Sequence, residues 1–283
     1  MDLHPDRLLE LRDVALHRIV CPACGGLIAP DPSQGDPSEP FCGLRCLGCG
    51  AGYRWRGGVL DLVPEGKAVP TRPRVYPWQG QQLDFYAFFA AILKMGAYAD
   101  TDLEDQLYHL LGWMDPEPGK PVLQIGVGQG ELTYVLSNAL MDAPLVALDD
   151  DLSSLAEARR NLLGYGIGDV IYVRCDLNTP PLRPHAFSSA LHFGVLHGLA
   201  QPPAHLAWLG RSLTPNGRLA GLTLARSTLE HIARAQQAAS ATAGLRFIPM
   251  EGLARELMKT GWASFRHEQP SNWMARFLAV RRP

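Results

Sequence analysis

From Pro121 onward the chain alternates short apolar runs with amphipathic stretches of helical length. The runs are VLQIGV, LVALD, VIYVRCD, SALHFGVL and RLAGLTLA. Each suits a buried strand, and each gap between them is long enough for a crossover helix. Strands joined that way lie parallel, and a parallel sheet needs helices on both faces. This part of the chain is therefore α/β.

The rest of the chain reads differently. Residues 1 to 66 hold five of the six cysteines, with six Arg, no Lys and nine Asp plus Glu. APDPSQGDPSEP, residues 29–40, reads as a loop. VPEGKAVPTRPRVYP, residues 63–77, carries four prolines and reads as a linker. Residues 83–114 read as two helices rich in aromatics: Phe85, Tyr86, Phe88, Phe89 and Tyr98. The expected organisation is a ribbon domain at 1–66, a linker and helical cover at 67–118, and a main domain at 119–283.

The cysteines come as two Cys-x2-Cys-Gly knuckles, Cys21 with Cys24 and Cys46 with Cys49. Two-residue spacing lets a tight turn aim two sulfurs at one point, and two such turns make a tetrahedral thiolate site suited to zinc. YRWRGGVLDLVP after the second knuckle reads as a strand pair closing a zinc ribbon. A small segment with few large apolar residues needs such a staple. Cys42 is a spare that competes for one ligand place, and four thiolates leave no open position for catalysis.

Bulk charge narrows the partners. The net charge is −2 and charged residues are 19%, with a pI of about 6.5. The ribbon's acidic balance is opposite to that of a phosphate-gripping module. No apolar run reaches the roughly 18 residues of a membrane span. The charged N-terminus lacks the apolar core of a signal peptide. The expectation is a cytoplasmic protein without disulfides.

The turn after the first run is GVGQG, with Gly126, Gly128 and Gly130, then Glu131. No Lys follows, so it is not a phosphate loop, and the third glycine falls one place early for the dinucleotide fingerprint. The pattern fits a cofactor without a pyrophosphate. LVALDDD then ends in acid about 20 residues on. Asp149, with Asp150 as second choice, suits a ribose. Asp151 reads as a helix N-cap. Asp176, ending VIYVRCD, suits an adenine amino group or else a strand-end turn. Cys175 beside it reads as a buried apolar residue.

GVGQG, LDDD, CDL, FGVLHGL and RSLTPNGRLAGL, in this order and at these intervals, resemble the class I S-adenosylmethionine-dependent methyltransferases. PMEGLARELMKTGW, ASFRHEQ and MARFLAVRR resemble that family's last helix and final hairpin. The resemblance covers residues 119 to 283. It implies a Rossmann-like seven-stranded methyltransferase sheet with helices on both faces, added to the small N-terminal zinc ribbon. It implies that Gln124, Gly126, Gly128, Gly130, Asp149, Asp150, Asp176, Leu177, Phe193 and Gly194 hold S-adenosylmethionine. Two positions depart from the family: Gln124 stands where an acid is usual, and Phe187-Ser188 where Phe-Asp is usual. Gln124 still offers an uncharged acceptor to the cofactor's amino group.

Methyl transfer is an in-line displacement, so alignment matters more than any universal residue. His197, past the fourth strand, is the candidate base, against the alternative of a histidine satisfying loop carbonyls. His192 has the weaker case. A ribbon ahead of this fold resembles the rRNA guanine-N1 methyltransferases in domain order. It also resembles a small zinc-ribbon family that partners tRNA and protein methyltransferases. Acidic charge and aromatic cover favour a small or moderately apolar acceptor. An RNA base, a protein acceptor and a non-catalytic cofactor-binding scaffold are the alternatives.

Overall fold

The computed structural model describes residues 5–31, 33, 43–64, 67, 69, 75–78, 80–94, 102–140, 143–243 and 245–283. The N-terminal part is α1 (Pro5–Leu16), β1 (Ile28–Asp31), β2 (Gly43–Cys46), β3 (Gly52–Arg56) and β4 (Val59–Asp61). A hairpin, β5 (Val75–Trp78) with β6 (Gln81–Asp84), leads into α2 (Phe85–Leu93) and α3 (Leu103–Met114). The five apolar runs become β7 (Val122–Ile125), β8 (Leu145–Asp149), β9 (Val170–Arg174), β10 (Phe187–Phe193) and β11 (Leu213–Leu224). Between them lie α4 (Glu131–Leu140), α5 (Leu152–Gly164) and α6 (Pro202–Ser212). The chain ends with α7 (Glu230–Ala243), α8 (Met250–Leu257), β12 (Trp262–Ser271) and β13 (Met274–Arg281). Among the described residues no helix is long and apolar enough to cross a membrane.

The sheet order is β1-β2-β3-β4-β9-β8-β7-β10-β11-β13-β12. The last seven strands form the expected sheet, with β7 to β11 parallel, β13 antiparallel to them, and β12, antiparallel to β13, running with the rest. The expectation of a seven-stranded sheet with a separate ribbon needs correcting, because the ribbon's strands join the sheet and bring it to eleven. The ribbon's strands continue it at the β9 edge, where β4 pairs in parallel register, Leu60 with Val173. That edge would otherwise expose a row of unpaired backbone groups. Gly57 and Gly58 make the two-residue hairpin turn between β3 and β4, both at positive φ, which the twist of such hairpins favours.

The ribbon is anchored by more than backbone pairing. Val59 and Leu60 are fully buried, worth about 1.5–3 kcal/mol each. Asp61, 3% exposed on its side chain, sits 3.2 Å from Arg174 and 3.3 Å from Arg56. Arg7 on α1 reaches Asp169 at 2.8 Å. One apolar layer holds Ile19, Leu44, Tyr53 and Leu60 of the N-terminal part together with Leu206, Leu209 and Leu257 of the main part. The opposite layer packs α2 to α5 against the other face. Helices therefore cover both faces, as expected.

Two local readings differ. Residues 29–31 belong to β1, an edge strand, rather than to a loop; Pro30 is tolerated there because an edge strand has a side without ladder bonds. Val75–Trp78 forms a strand within the stretch read as linker.

Candidate active site and metal centre

The strand order reverses between β8 and β10, with β7 at the centre. In open α/β sheets the ligand crevice lies there, beyond the carboxyl ends of the strands. The glycine loop leaves β7 at that point. Its three glycines do different work. A Cβ on Gly126 would lie 2.5 Å from the Phe193 carbonyl oxygen and 2.5 Å from Val195 Cγ2. One on Gly130 would lie 2.9 Å from Leu162 and 3.0 Å from Ala158, so this glycine lets the loop close on α5. A Cβ on Gly128 would meet nothing within 4 Å.

Asp149 braces this loop from β8. One carboxylate oxygen accepts from the N–H groups of Val127 (2.8 Å) and Gly128 (3.3 Å); the other accepts from Asp150 (2.8 Å) and Asp151 (3.2 Å). Asp149 is 2% exposed and Asp150 3%. Asp151 caps α5, accepting from Ser154 N–H at 2.7 Å. Arg174 donates to the Asp150 carbonyl at 3.3 Å while paired with Asp61. The ribbon's last strand thus reaches the acidic turn.

Gln124, fully buried on β7, donates through Nε2 to the Gly126 carbonyl (2.9 Å) and to Thr133 Oγ1 (3.0 Å). Its Oε1 is buried with no hydrogen-bond partner among the described residues. A carbonyl oxygen left this way is costly unless a donor arrives. Asp176 makes a local turn, accepting from Asn178 N–H (2.8 Å) and Nδ2 (3.0 Å). Leu177 is buried in the apolar layer that faces α1. Phe193 is buried, and Gly194 at φ 62 donates to the Leu222 carbonyl at 2.9 Å. Cys175 is buried, which pushes its thiol well up.

His197 lies in a 3-10 turn, Leu196–Gly198, after β10 and is 5% exposed. Its ring centroid is 5.4 Å from Phe89 and 6.3 Å from Tyr76, and Tyr76 stacks on Phe88 at 4.5 Å. Asp84 N-caps α2 by accepting from Ala87 N–H at 2.7 Å. Partial desolvation raises the Glu131 carboxyl, and the Asp84 carboxylate adds to the effect. The Asp84 carboxylate at the start of α2 is therefore within electrostatic reach of Glu131 at the start of α4. His192 faces the other layer, its Nε2 3.1 Å from that of His205. The side chains of Phe85 and Tyr86, and all of Tyr98, lie outside the described residues.

The four knuckle cysteines converge, with all Sγ atoms within 4.8 Å of one another. Cys24 and Cys46 are 3.4 Å apart, and Cys21 and Cys49 3.7 Å. A tetrahedron with zinc–sulfur bonds of about 2.3 Å has edges of about 3.8 Å. Cys46 accepts from the N–H groups of Gly48 (3.3 Å) and Cys49 (3.5 Å), and Cys24 from Gly26 (3.4 Å). The Cys49 and Gly48 N–H groups pull the Cys46 thiol down to about 6. The Gly26 N–H lowers Cys24, but protons shared with the other three thiols push it to about 12. Four sulfurs this close could hold a metal ion between them, and the donor set fits zinc. Tyr53 OH lies 3.0 Å from Cys21 Sγ. Cys42 lies outside the described residues.

Several contributors had no clear sequence signal. Tyr76 sat in a proline-rich stretch, and Asp61 and Arg174 meet only through long-range strand pairing. Thr133, three residues past the loop on α4, was detectable only as a small polar residue on a helix's buried face.

Comparison with known proteins agrees with this geometry. Residues 123–221 match a family described as a methyltransferase domain. An uncharacterized protein of Synechococcus sp. is 30% identical over 133 residues, 46% of this chain and 32% of that protein. The uncharacterized methyltransferase YodH of Bacillus subtilis is 28% identical over 110 residues, 39% of this chain and 46% of its own length. The chain spans less than half the length of these two relatives. Phosphoethanolamine N-methyltransferase 2 of Haemonchus contortus, solved with S-adenosylhomocysteine, superposes with TM-score 0.54 at 16% identity, covering 63% of this chain and 52% of that one. Geranyl diphosphate C-methyltransferase of Streptomyces coelicolor gives 0.53 at 10% identity, covering 63% and 75%. The [4+2]-cyclase SpnF gives 0.54 at 14% identity, covering 64% and 81%. These likenesses show the fold, and the cyclase illustrates that this fold does not dictate one reaction.

Proposed function

We propose that the chain is an S-adenosylmethionine-dependent methyltransferase whose acceptor is a small or moderately apolar molecule, with a structural zinc in its ribbon. S-adenosylmethionine supplies an electrophilic methyl group on a sulfonium. Gln124 Oε1 is the acceptor for its amino group, the buried oxygen that the protein leaves without a donor. Gly128 faces the space where the methionine portion fits. Asp149 and Asp150 stand at the ribose, and Asp176 with Leu177 at the adenine.

The observation that carries the acceptor class is the aromatic wall of Tyr76, Phe88 and Phe89 around His197. α2 and the strand before it act as a cover that excludes water from the transfer. His197 takes the proton that an oxygen or carbon acceptor releases. The zinc plays no part in the chemistry, because four thiolates close its coordination.

Methyl-labelled cofactor, incubated with the protein and extract from cells lacking the gene, tests this. Label in the organic-soluble fraction is the expected result. Label released by RNase, or label in protein, overturns the acceptor class. No label despite S-adenosylhomocysteine binding means a scaffold. In the first case His197→Ala should cut transfer about 10²–10⁴-fold and leave S-adenosylhomocysteine affinity within about threefold. Equal transfer by the variant would remove His197 as base.

The glycines give a second test. Gly126→Ala forces a Cβ against backbone at φ 87, at a cost of about 2–5 kcal/mol. Gly128→Ala keeps an open site, so it should cost only about 1–2 kcal/mol yet weaken S-adenosylhomocysteine at least about tenfold. Thermal melts and calorimetry separate the two; unchanged affinity in Gly128→Ala would move the cofactor elsewhere.

A further inference from the structure

A second cavity opens on the same edge of the sheet, beyond the end of β11. Its volume is about 500 Å³, and Arg226, Gln236, Gln237, Ser240, Arg246 and Phe247 line it. Its frame is rigid. Arg226 N–H donates to the Ile248 carbonyl at 2.9 Å, extending the end of β11. Gln236, 2% exposed, accepts from Ser227 N–H (2.9 Å) and donates to the carbonyls of Ala225 (3.0 Å) and Asn272 (3.2 Å). Phe247 packs edge-on against Trp273 at 5.5 Å, giving one apolar wall.

The two arginines differ. Arg246 uses Nη1 on the carbonyls of Leu199 and Ala200. That ties the cavity to the loop just after His197 and leaves the Nε and Nη2 donors without partners among the described residues. The Arg226 guanidinium has no hydrogen bond or ion pair among the described residues. Among the described residues no carboxylate lines the cavity, although the whole chain is net negative at −2. Two guanidinium groups with no carboxylate among the described lining residues, flanked by the Ser240 hydroxyl and the Gln237 amide, are a recognition set for an oxyanion.

We propose that this cavity binds a phosphate or diphosphate group carried by the methyl acceptor, whose apolar body runs from Phe247 toward His197. That link to the acceptor rests on the methyl-transfer reading; the cavity's affinity for the anion does not. Arg226 is the binding residue to test, because Arg246 also holds the loop.

The probe is inorganic pyrophosphate, titrated calorimetrically into the full chain saturated with S-adenosylhomocysteine. Binding should weaken as salt rises. Arg226→Ala should weaken it about tenfold or more, and Arg226→Lys by less. S-adenosylhomocysteine affinity should be the same in all three proteins. No pyrophosphate binding at millimolar concentration, or equal binding by Arg226→Ala, overturns the site. Loss of S-adenosylhomocysteine binding in the unsubstituted protein would instead overturn the cofactor reading and leave the anion result standing. If pyrophosphate binds but Arg226→Ala leaves KM for the labelled acceptor unchanged, the anion is not the acceptor's and that half of the proposal falls.

Discussion

Cys46→Ser should release the metal and lower the melting temperature by about 10 °C or more, the large class of effect expected when a metal ligand is lost. Cys46 is buried and central to its site, holding two N–H donors and lying 3.4 Å from Cys24. A serine in its place leaves three thiolates and a weak ligand. Metal affinity in such ribbons is folding free energy, because the site does not exist in the unfolded chain. The damage should also spread. Residues 43–46 form β2, which pairs with β3, which pairs with β4, which pairs with β9. Loosening that edge frees Asp61 from Arg174 and so disturbs the support of Asp150. S-adenosylhomocysteine affinity should therefore fall severalfold even though the cysteines lie at the sheet's far edge. Metal analysis and thermal melts check this, with Cys175→Ser as a control that keeps its zinc. One zinc per chain retained in Cys46→Ser would pass the fourth place to Cys42. No zinc in the unsubstituted protein, with four titratable thiols, would end the metal centre.

That coupling explains what was legible in the sequence and what was not. β7 to β11 could be read because each is a run of at least four buried residues between helix-length segments, a pattern local to a few dozen residues. The knuckles could be read because their chemistry is also local. YRWRGGVLDLVP shows β3 and β4 as a strand pair, but the three residues of β4, Val59 to Asp61, do not name its second partner. Its partner β9 lies more than a hundred residues away, so the eleven-stranded sheet depends on a pairing that no window of sequence contains. Asp61 lies within the stretch read as a strand pair, but nothing local marks it as a buried ion-pair partner. His197 was found by its place past the fourth strand, but its burial under Tyr76 and Phe89 depends on how α2 docks. The three glycines looked equivalent in sequence; only the positions of Phe193, Val195, Ala158 and Leu162 tell the packing glycines from the open one.

Asp149→Asn should weaken S-adenosylhomocysteine binding sharply while leaving most of the fold intact. The carboxylate accepts four backbone N–H groups, two on each oxygen, so a ribose hydroxyl reaches it by displacing one of the longer bonds, from Gly128 (3.3 Å) or Asp151 (3.2 Å). An amide keeps the shape but turns one oxygen into a donor. Either the Val127 and Gly128 pair or the Asp150 and Asp151 pair then faces an N–H group. Two orphaned buried donors cost about 2–6 kcal/mol, enough to be visible in a melt. Val127 and Gly128 belong to the glycine loop, and relaxing them closes the space that Gly128 faces. Affinity for S-adenosylhomocysteine should fall about 100-fold or more, well beyond the severalfold loss from the ribbon variant. Asp150→Asn separates bracing from direct contact, since none of these four bonds ends on the Asp150 carboxylate. If Asp149→Asn costs stability but binds S-adenosylhomocysteine as before, the acid braces the loop and contacts nothing, and the ribose falls to Asp150. If Asp150→Asn weakens binding without a shift in melting temperature, the contact is direct and the two acids divide the work.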